Sequence, residues 1–226
     1  MLPSWGGRRR TAAASLITMA QVGRSMRIGV SAVQGAVSEH ADALGRAAQR
    51  TGLDVTVVPV RKLADFESTD ALVLPGGEST TISRLLRSGG AQEVVKRRGG
   101  GDLALFGTCA GMILLASRAS HDVADKDIEL LGLLDAEVDR NAFGRQRDSF
   151  ETVLDVAGVG AMPCVFIRAP AYDALTGAEV LATYQGRIVA AQHGRILVTA
   201  FHPELTADTR LHERFLAMVA EAAGGA

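Results

Sequence analysis

Apolar residues form short runs along the first half of the chain, and each run ends at a glycine or a polar turn. These runs predict strands at 27–33, 54–59, 71–74 and 103–106. The third run is apolar at every position, which is typical of a strand buried on both faces. Between the runs, helical spacing of apolar residues predicts helices at about 38–50, 79–87 and 92–97. Ser38 and Ser79 are placed to cap the first two of these helices.

The order of these elements argues for a fold class. Alternation of strands and helices predicts a mostly parallel sheet with helices on both faces. After Gly132 the pattern changes to strands joined by turns, followed by one helix at about 207–222. The strands predicted in this second half are 133–139, 149–156, 165–168, 180–184, 187–191 and 196–201. We therefore expect a three-layer α/β fold with a small antiparallel strand extension in the second half of the chain.

Composition narrows the class of protein. The 226 residues are 47% hydrophobic and 22% charged, with a net charge of −1, which suits one large domain at 26–226. No basic stripe suggests nucleic acid, and no apolar stretch is long enough for a membrane-spanning helix. The two cysteines, Cys109 and Cys164, lie on separate predicted strands and do not resemble a disulfide framework. A reducing cytoplasm is the simpler setting for them.

The first 25 residues carry a separate pattern. Three arginines at 8–10 precede a short apolar stretch that ends at Ala20, as in a secretion signal. The alternative is a disordered extension, or an upstream start codon with Met26 as the working start. We favour this alternative because the apolar stretch is short and is diluted by serine and threonine.

Cys109 lies where an apolar strand turns into an apolar helix, within the segment Gly107-Thr-Cys-Ala-Gly111. This is the sulfur form of the nucleophile elbow, in which small neighbours allow a sharp turn and close helix packing. A cysteine acts as a nucleophile only as a thiolate, which a helix N-terminus and a nearby imidazolium favour. The N–H of Ala110 would then face a developing oxyanion. The alternative is a buried cysteine that serves only as a small apolar side chain.

A second predicted strand ends in the sequence Phe201-His-Pro-Glu204. Residues two apart in an extended segment point to the same side, so Glu204 could hold the imidazole of His202 in one tautomer. Together with Cys109, these residues supply a nucleophile, a base and a group that orients the base. Taken alone, His202 and Glu204 could equally be a surface pair at the end of a strand.

A third segment, Pro75-Gly-Gly-Glu-Ser-Thr-Thr81, follows a predicted central strand. Ligands bind at the carboxyl edge of open α/β sheets, and adjacent glycines let backbone N–H groups approach a substrate or an oxyanion. The alternative is an ordinary strand-to-helix turn. A phosphate-binding loop is disfavoured because no lysine follows at the required spacing.

These motifs, in this order, resemble the class I glutamine amidotransferases and, more narrowly, the glutaminase subunits of pyridoxal phosphate synthases. The similarity runs from about Arg27 to the C-terminus. Two motifs distinguish this branch from other amidotransferases with a catalytic triad: Gly-Gly-Glu-Ser-Thr at 76–80, and Arg-Asn-Ala-Phe-Gly-Arg-Gln at 140–146. Further matching motifs are Val33-Gln-Gly35, Phe106-Gly-Thr-Cys-Ala-Gly-Met-Ile113 and Phe201-His-Pro-Glu-Leu-Thr206.

The resemblance implies hydrolysis of L-glutamine to glutamate and ammonia through a thioester on Cys109. His202 would protonate the leaving ammonia and then activate water, Glu204 would orient His202, and Gly77 and Ala110 would supply oxyanion N–H groups. The residues that would hold glutamine are Gly77, Glu78, Ser79, Arg140, Ile167 and Arg168.

For the charged members of this set other roles remain open. The two arginines could be solvated surface residues, and Glu78 a helix first-turn acid. We expect Cys164 to be a core residue, and neither His121 nor His193 has the neighbours of a metal ligand.

The resemblance also implies a partner, a synthase subunit that uses the ammonia to build pyridoxal phosphate in a hetero-oligomeric complex. No cofactor, metal, nucleic acid or membrane is implied. Two alternatives remain: a glutaminase that serves another pathway, and an amidotransferase-like binding module without catalysis. The intact cysteine, histidine and glutamate argue against the second alternative.

Overall fold

A computed structural model describes residues 25–120, 128–143 and 149–224. In its first half, strands and helices alternate as the sequence predicts. The strands are β1 (Met26–Ser31), β2 (Val55–Val60), β3 (Ala71–Leu74), β4 (Ala104–Thr108) and β5 (Ala116–Ala119). The helices are α1 (Val37–Thr51), α2 (Leu63–Glu67), α3 (Ser79–Ser88), α4 (Ala91–Arg98) and α5 (Ala110–Leu115).

The second half is built mainly of strands and ends in a helix. The strands are β6 (Leu134–Asp139), β7 (Phe150–Val156), β8 (Gly160–Phe166), β9 (Ala171–Leu175), β10 (Glu179–Tyr184), β11 (Arg187–His193) and β12 (Ile196–Thr199). A single 3₁₀ turn, Pro203–Leu205, follows β12, and helix α6 spans Arg210–Gly224.

One ten-stranded sheet organises the molecule. Its order is β2-β1-β3-β4-β12-β11-β9-β6-β5, and β10 pairs with β11 off this path. The pairs from β2 across to β12 are all parallel, whereas β11 pairs antiparallel with β12, β9 and β10. Strands β7 and β8 form a separate antiparallel hairpin. The predicted α/β fold, with a mostly parallel central sheet and a small antiparallel extension, is confirmed.

Helices cover the parallel part of the sheet in two groups. Helices α1 and α6 pack against each other, and α6 also contacts β4. Helix α4 contacts α2 and α3, and α3 contacts α5. The crossover between two parallel strands of a sheet is right-handed. From β1 to β2 the chain moves across the sheet in one direction, and from β2 to β3 it moves in the opposite direction. The two groups of helices therefore lie on opposite faces of the sheet.

The structure differs from the sequence prediction at several places. Helix α2 and strands β5 and β9 were not predicted, because each is short and, unlike β3, none is a continuous apolar run. Ser38 does not cap α1: the helix begins at Val37 after Ala36, and the Ser38 hydroxyl bonds to Glu39 instead. Helix α6 begins at Arg210 rather than at residue 207. The Thr206 hydroxyl donates to the Pro203 carbonyl oxygen and accepts from the Asp208 N–H, and the Asp208 carboxylate accepts from the N–H of Arg210 at the start of the helix.

Candidate active site

Cys109 occupies the turn between β4 and α5 in a backbone conformation that side chains rarely adopt, with φ of 48° and ψ of −101°. Its N–H donates to the Thr199 carbonyl oxygen of the neighbouring strand at 2.8 Å. The flanking glycines are required by space: a Cβ at Gly111 would lie 2.1 Å from the Leu74 carbonyl oxygen, and one at Gly107 would lie 2.6 Å from Leu115. The predicted elbow is therefore present.

Parallel pairing of β12 with β4 brings the second half of the site beside the first. Thr199 pairs with Thr108, so the segment after β12 runs next to Cys109. His202 and Glu204 are buried, and Nδ1 of the imidazole lies 2.7 Å from Oε1 of the carboxylate. The predicted contact is present, but it is made by a 3₁₀ turn at Pro203–Leu205 and not by an extended segment.

Gly76 lies between the cysteine and the histidine. A Cβ at this position would lie 2.3 Å from Cε1 of His202 and 3.3 Å from Cβ of Cys109. Both side chains therefore contact the same backbone, and any larger residue there would push the imidazole away. The other ring nitrogen of His202, Nε2, is buried and makes no hydrogen bond within the described parts of the chain. That nitrogen is available to a thiol or to a bound ligand.

The surroundings of His202 favour the protonated, positively charged form of its imidazole. Burial lowers the pKa of the imidazole, but the nearby Cys109 and the hydrogen-bonded Glu204 outweigh burial and raise it to about 10. At neutral pH the ring is therefore an imidazolium that faces a cysteine. Cys164 has the opposite environment: it is fully buried, and burial raises the pKa of its thiol to about 12. It packs as a core residue, as the sequence analysis expected.

Cys109 opens into a cleft with an empty volume of about 410 Å³. All six residues that the resemblance assigns to glutamine binding line this cleft. Two others were not predicted, although Ile113 lies one helical turn after Cys109 and Asn141 follows Arg140. The complete lining is Gly77, Glu78, Ser79, Cys109, Ile113, Arg140, Asn141, Ile167 and Arg168.

Opposite charges face each other across the cleft. The Arg140 guanidinium donates to the Glu78 carboxylate at 2.7 Å. Partial burial raises the pKa of Glu78, but the Thr81 N–H, the Thr81 hydroxyl and Arg140 outweigh this effect and lower it. Glu78, and not Ser79, caps α3 by accepting from the Thr81 N–H. The Ser79 hydroxyl and one Arg140 nitrogen, Nη1, are buried without a partner in the described chain.

Gln34 supports the floor of the cleft. Its side-chain oxygen accepts from the Glu78 N–H at 2.8 Å, and a Cβ on Gly77 would lie 2.5 Å from that oxygen. Gln34 belongs to the matching motif Val33-Gln-Gly35, but no role was predicted for it. A residue 44 positions away along the chain thus fixes the backbone of the Gly77–Glu78 segment.

The β7–β8 hairpin supplies the opposite wall of the cleft. The His202 N–H donates to the Val165 carbonyl oxygen of β8 at 2.8 Å, which holds the hairpin beside the histidine. Immediately after β8, the Ile167 carbonyl oxygen lies 3.9 Å from the Cys109 sulfur. Arg168 has φ of 45°, a left-handed conformation that turns the chain at the cleft.

Some sequence expectations fall on residues that lie outside the described parts of the chain. These are the extension at 1–24, His121, and positions 144–146 of the motif that begins at Arg140. Among the described residues, no group of three or more histidine, cysteine, aspartate or glutamate side chains could hold a metal ion. In the same residues, no helix is both long enough and apolar enough to cross a membrane.

Solved structures share this fold. A crystal structure of a glutamine amidotransferase covers 85% of this chain and 98% of its own, with a TM-score of 0.75 and 46% identity. A second one, from Thermotoga maritima, has a TM-score of 0.53 at 14% identity and supports the fold alone. The architecture is that of a glutamine amidotransferase.

Sequence comparisons identify the family more narrowly. The family model described as the SNO glutamine amidotransferase family matches residues 30–221. The chain is 50% identical over 192 residues to the pyridoxal 5'-phosphate synthase subunit PdxT of Archaeoglobus fulgidus, covering 84% of this chain and 97% of that protein. It is 50% identical over 198 residues to the PdxT of Brevibacillus brevis, with coverages of 87% and 98%. The chain belongs to the SNO glutamine amidotransferase family.

Proposed function

We propose that this protein hydrolyses L-glutamine to L-glutamate and ammonia, and that it does so as the glutaminase subunit of a pyridoxal 5'-phosphate synthase. One observation carries the proposal: Cys109, at a left-handed elbow beside the buried His202–Glu204 pair, opens into a cleft lined by Glu78 and Arg140. The family and the relatives named as synthase subunits support the same activity.

The reaction begins with the thiolate. Cys109 attacks the side-chain amide carbon of glutamine, and the oxygen takes up the negative charge. Ala110 is the first residue of α5, and the first N–H groups of a helix have no partner within it. Its N–H and that of Gly77, which lines the same cleft, stabilise the oxyanion. The His202 imidazolium then gives its proton to the nitrogen as the carbon–nitrogen bond breaks, and ammonia leaves.

The second half of the reaction regenerates the enzyme. His202, now neutral, removes a proton from water, and the hydroxide formed attacks the thioester carbonyl carbon. The carbon–sulfur bond breaks, glutamate leaves, and the thiolate and imidazolium are restored. Glu204 holds the Nδ1–H of His202 throughout, so that Nε2 always faces the reacting atoms.

Recognition of the amino-acid end of glutamine requires partners of both signs. Its carboxylate suits Nη1 of Arg140 and the Ser79 hydroxyl, neither of which has a partner among the described residues, and its ammonium suits the Glu78 carboxylate. Ile167 and Arg168 close the cleft around the substrate. In the structure Glu78 and Arg140 pair with each other, and bound glutamine would replace part of that pairing.

The partner and the setting complete the proposal. A synthase subunit docks with this protein in a hetero-oligomeric complex and consumes the ammonia to make pyridoxal 5'-phosphate. The names of the relatives support this partner. Both cysteines are free thiols, and Cys109 acts only when reduced, which favours the cytoplasm. The folded domain is residues 26–226, and residues 1–25 are an extension.

The proposal is tested by measuring glutamate and ammonia release from glutamine, with and without the synthase subunit. Cys109→Ala is expected to abolish release, because no other described cysteine reaches the cleft. Cys164→Ala is the matched control and keeps the activity of the parent. Unchanged release from Cys109→Ala would rule the mechanism out. If the synthase of another pathway stimulates release and the pyridoxal 5'-phosphate synthase subunit does not, the partner is the synthase of that other pathway.

A further inference from the structure

A buried histidine lies directly behind the proposed catalytic pair. His40 belongs to the stripe of α1 that packs inward, with Ala43, Leu44 and Ala47, where an apolar side chain would be expected. Its side chain is fully buried. A polar ring at such a position carries a desolvation cost unless its nitrogens are hydrogen-bonded. The contacts of the two ring nitrogens therefore indicate what the histidine does.

One ring nitrogen faces the catalytic centre. Nε2 of His40 lies 3.0 Å from the Thr108 hydroxyl oxygen and 3.4 Å from Oε2 of Glu204. The Thr108 hydroxyl in turn accepts from the Gly76 N–H at 3.0 Å. Among the described residues, Oε2 makes no well-aligned hydrogen bond, whereas Oε1 is bonded to His202. His40 thus stands between the carboxylate behind the base and the glycine loop beside the nucleophile.

The other ring nitrogen leads to α6. Nδ1 of His40 lies 3.2 Å from Nε2 of His212, which is also fully buried. The opposite nitrogen of His212, Nδ1, has no partner within the described chain. The Phe106 ring of β4 packs edge-on against both imidazoles, with centroid separations of 6.0 and 5.5 Å. These contacts fix the orientation of both rings.

The hydrogen-bond partners of His40 and His212 indicate which nitrogen of each ring carries the proton. A buried carboxylate oxygen requires a donor more strongly than a hydroxyl does, so the His40 proton belongs on Nε2. Nδ1 of His40 then accepts from the Nε2–H of His212, and the unpartnered Nδ1 of His212 is left as a lone pair. Buried acceptors without partners are less costly than buried N–H groups without partners. The opposite assignment would direct a lone pair of His40 at Glu204.

Both rings are held neutral. Burial, the neighbouring ring of His212 and the positive charge of His202 lower the pKa of His40 well below its usual value. Burial, together with the positive charge of Arg46, lowers the pKa of His212 to about 3. A neutral His40 with its proton on Nε2 presents an N–H dipole to the Glu204 carboxylate without competing with His202 for it as a second cation would.

We propose that His40 is a positioning residue for the glutaminase site: its Nε2–H donates to the Thr108 hydroxyl, which holds the loop at Gly76, and the same N–H lies 3.4 Å from Oε2 of Glu204, where it stabilises the charge of the carboxylate. This inference rests on the proposed function. It assigns His40 no contact with glutamine, because the residue does not line the cleft. His40 holds the carboxylate so that Glu204 keeps His202 charged and correctly turned toward Cys109.

Two variants separate positioning from packing. His40→Leu keeps the volume and removes the donor, whereas His40→Gln places an amide N–H near the position of Nε2. We expect His40→Leu to lower kcat by about 10- to 100-fold, as loss of a supporting hydrogen bond behind an active-site ligand typically does, with KM unchanged. We expect His40→Gln to recover most of the loss. His193→Leu, at an exposed histidine, is the matched control.

A second readout needs no glutamine. The rate at which iodoacetamide alkylates Cys109 in the free, full-length chain reports the thiolate across pH. With Glu204 loosened, the thiolate–imidazolium pair weakens, and the alkylation profile of His40→Leu shifts to higher pH; that of His40→Gln stays near the parent profile. Thermal unfolding of each variant shows whether the chain has folded. A merely structural role would lower stability without moving this profile.

The parent protein also tests the assignment directly if His40→Leu does not fold. Nitrogen-15 spectra of labelled histidine are expected to show His40 neutral and protonated at Nε2 at pH 7. A folded His40→Leu with the kcat and alkylation profile of the parent would overturn the inference, as would a His40 that is cationic or protonated only at Nδ1. A parent that releases no ammonia with the synthase present would contradict the proposed function, while alkylation and the spectra would still decide the role of His40.

Discussion

At the scale of single residues, the site depends on glycines that leave room for other groups. The φ of Gly76 does not lie in the left-handed region, but the His202 ring occupies the space of its missing side chain. In the same way, a side chain at position 111 would collide with the Leu74 carbonyl oxygen, so Gly111 cannot be replaced by a larger residue. Nothing in the sequence distinguishes these two glycines from other glycines. Only the folded chain shows which groups fill the space beside them.

Gly76→Ala is expected to reduce kcat/KM by about 100-fold or more, because a displacement of roughly 1 Å at a reacting group has that effect. The new Cβ would lie 2.3 Å from Cε1 of His202, so the ring must move. Gly45→Ala in α1 is the matched control, since nothing lies within 4 Å of its new Cβ. It should keep full activity and gain about 0.5–1 kcal/mol from helix propensity. Steady-state assays with the synthase subunit and urea unfolding measure both effects, and full activity in Gly76→Ala would contradict the geometry.

At the scale of elements, α1 and α6 are joined through a pair of buried histidines, His40 and His212. Both pKa values are lowered in the folded chain. The unfolded chain therefore binds more protons below about pH 6.5, and the stability of the folded chain falls as the pH is lowered from there. Each such histidine lowers the free energy of unfolding by up to about 1.4 kcal/mol for each further pH unit. This contact between helices is thus a source of acid sensitivity.

His212→Leu removes one of these groups and is expected to make the fall in stability shallower between pH 6.5 and pH 4. At pH 8 the variant should lose about 1–3 kcal/mol, because Nδ1 of His40 loses its buried partner. Urea unfolding at pH 8, 6, 5 and 4 measures both effects. His193→Leu, at an exposed histidine, is the matched surface control for the same measurements. An unaltered slope in His212→Leu would show that its ring is not buried in the neutral form.

The elements that carry the chemistry were the ones that the sequence could predict. The strands that lead to Cys109 and His202 are continuous apolar runs, so their type follows from local pattern alone. Strand β9 could not be found in this way, because its existence depends on pairing with β6 and β11, which are distant or out of order in the chain. The roles of Gln34 and His40 were missed for the same reason: each acts on a group more than 40 residues away.

At the scale of the whole molecule, the site is assembled from both halves of the sheet. The parallel half supplies the glycine loop, the elbow and the strand before His202 at its carboxyl edge, as open α/β sheets do. The antiparallel half and the β7–β8 hairpin supply Arg140, Ile167 and Arg168. Motifs could identify these residues through a resemblance, but the closing of the hairpin over the cleft required the tertiary structure.

The first residue of the sheet and the extent of the family match predict which part of the chain is sufficient for folding and activity. Strand β1 begins at Met26, the family match begins at residue 30, and two relatives align over 97% and 98% of their own lengths. A chain that starts at Ser25 should therefore unfold within about 0.5 kcal/mol of the full chain and release ammonia at the same rate with the synthase. Urea unfolding and the coupled assay measure this, and loss of either property would assign residues 1–24 to the working domain. N-terminal sequencing is the complementary check, because a mature end after Ala20 on secreted protein would identify the segment as a signal.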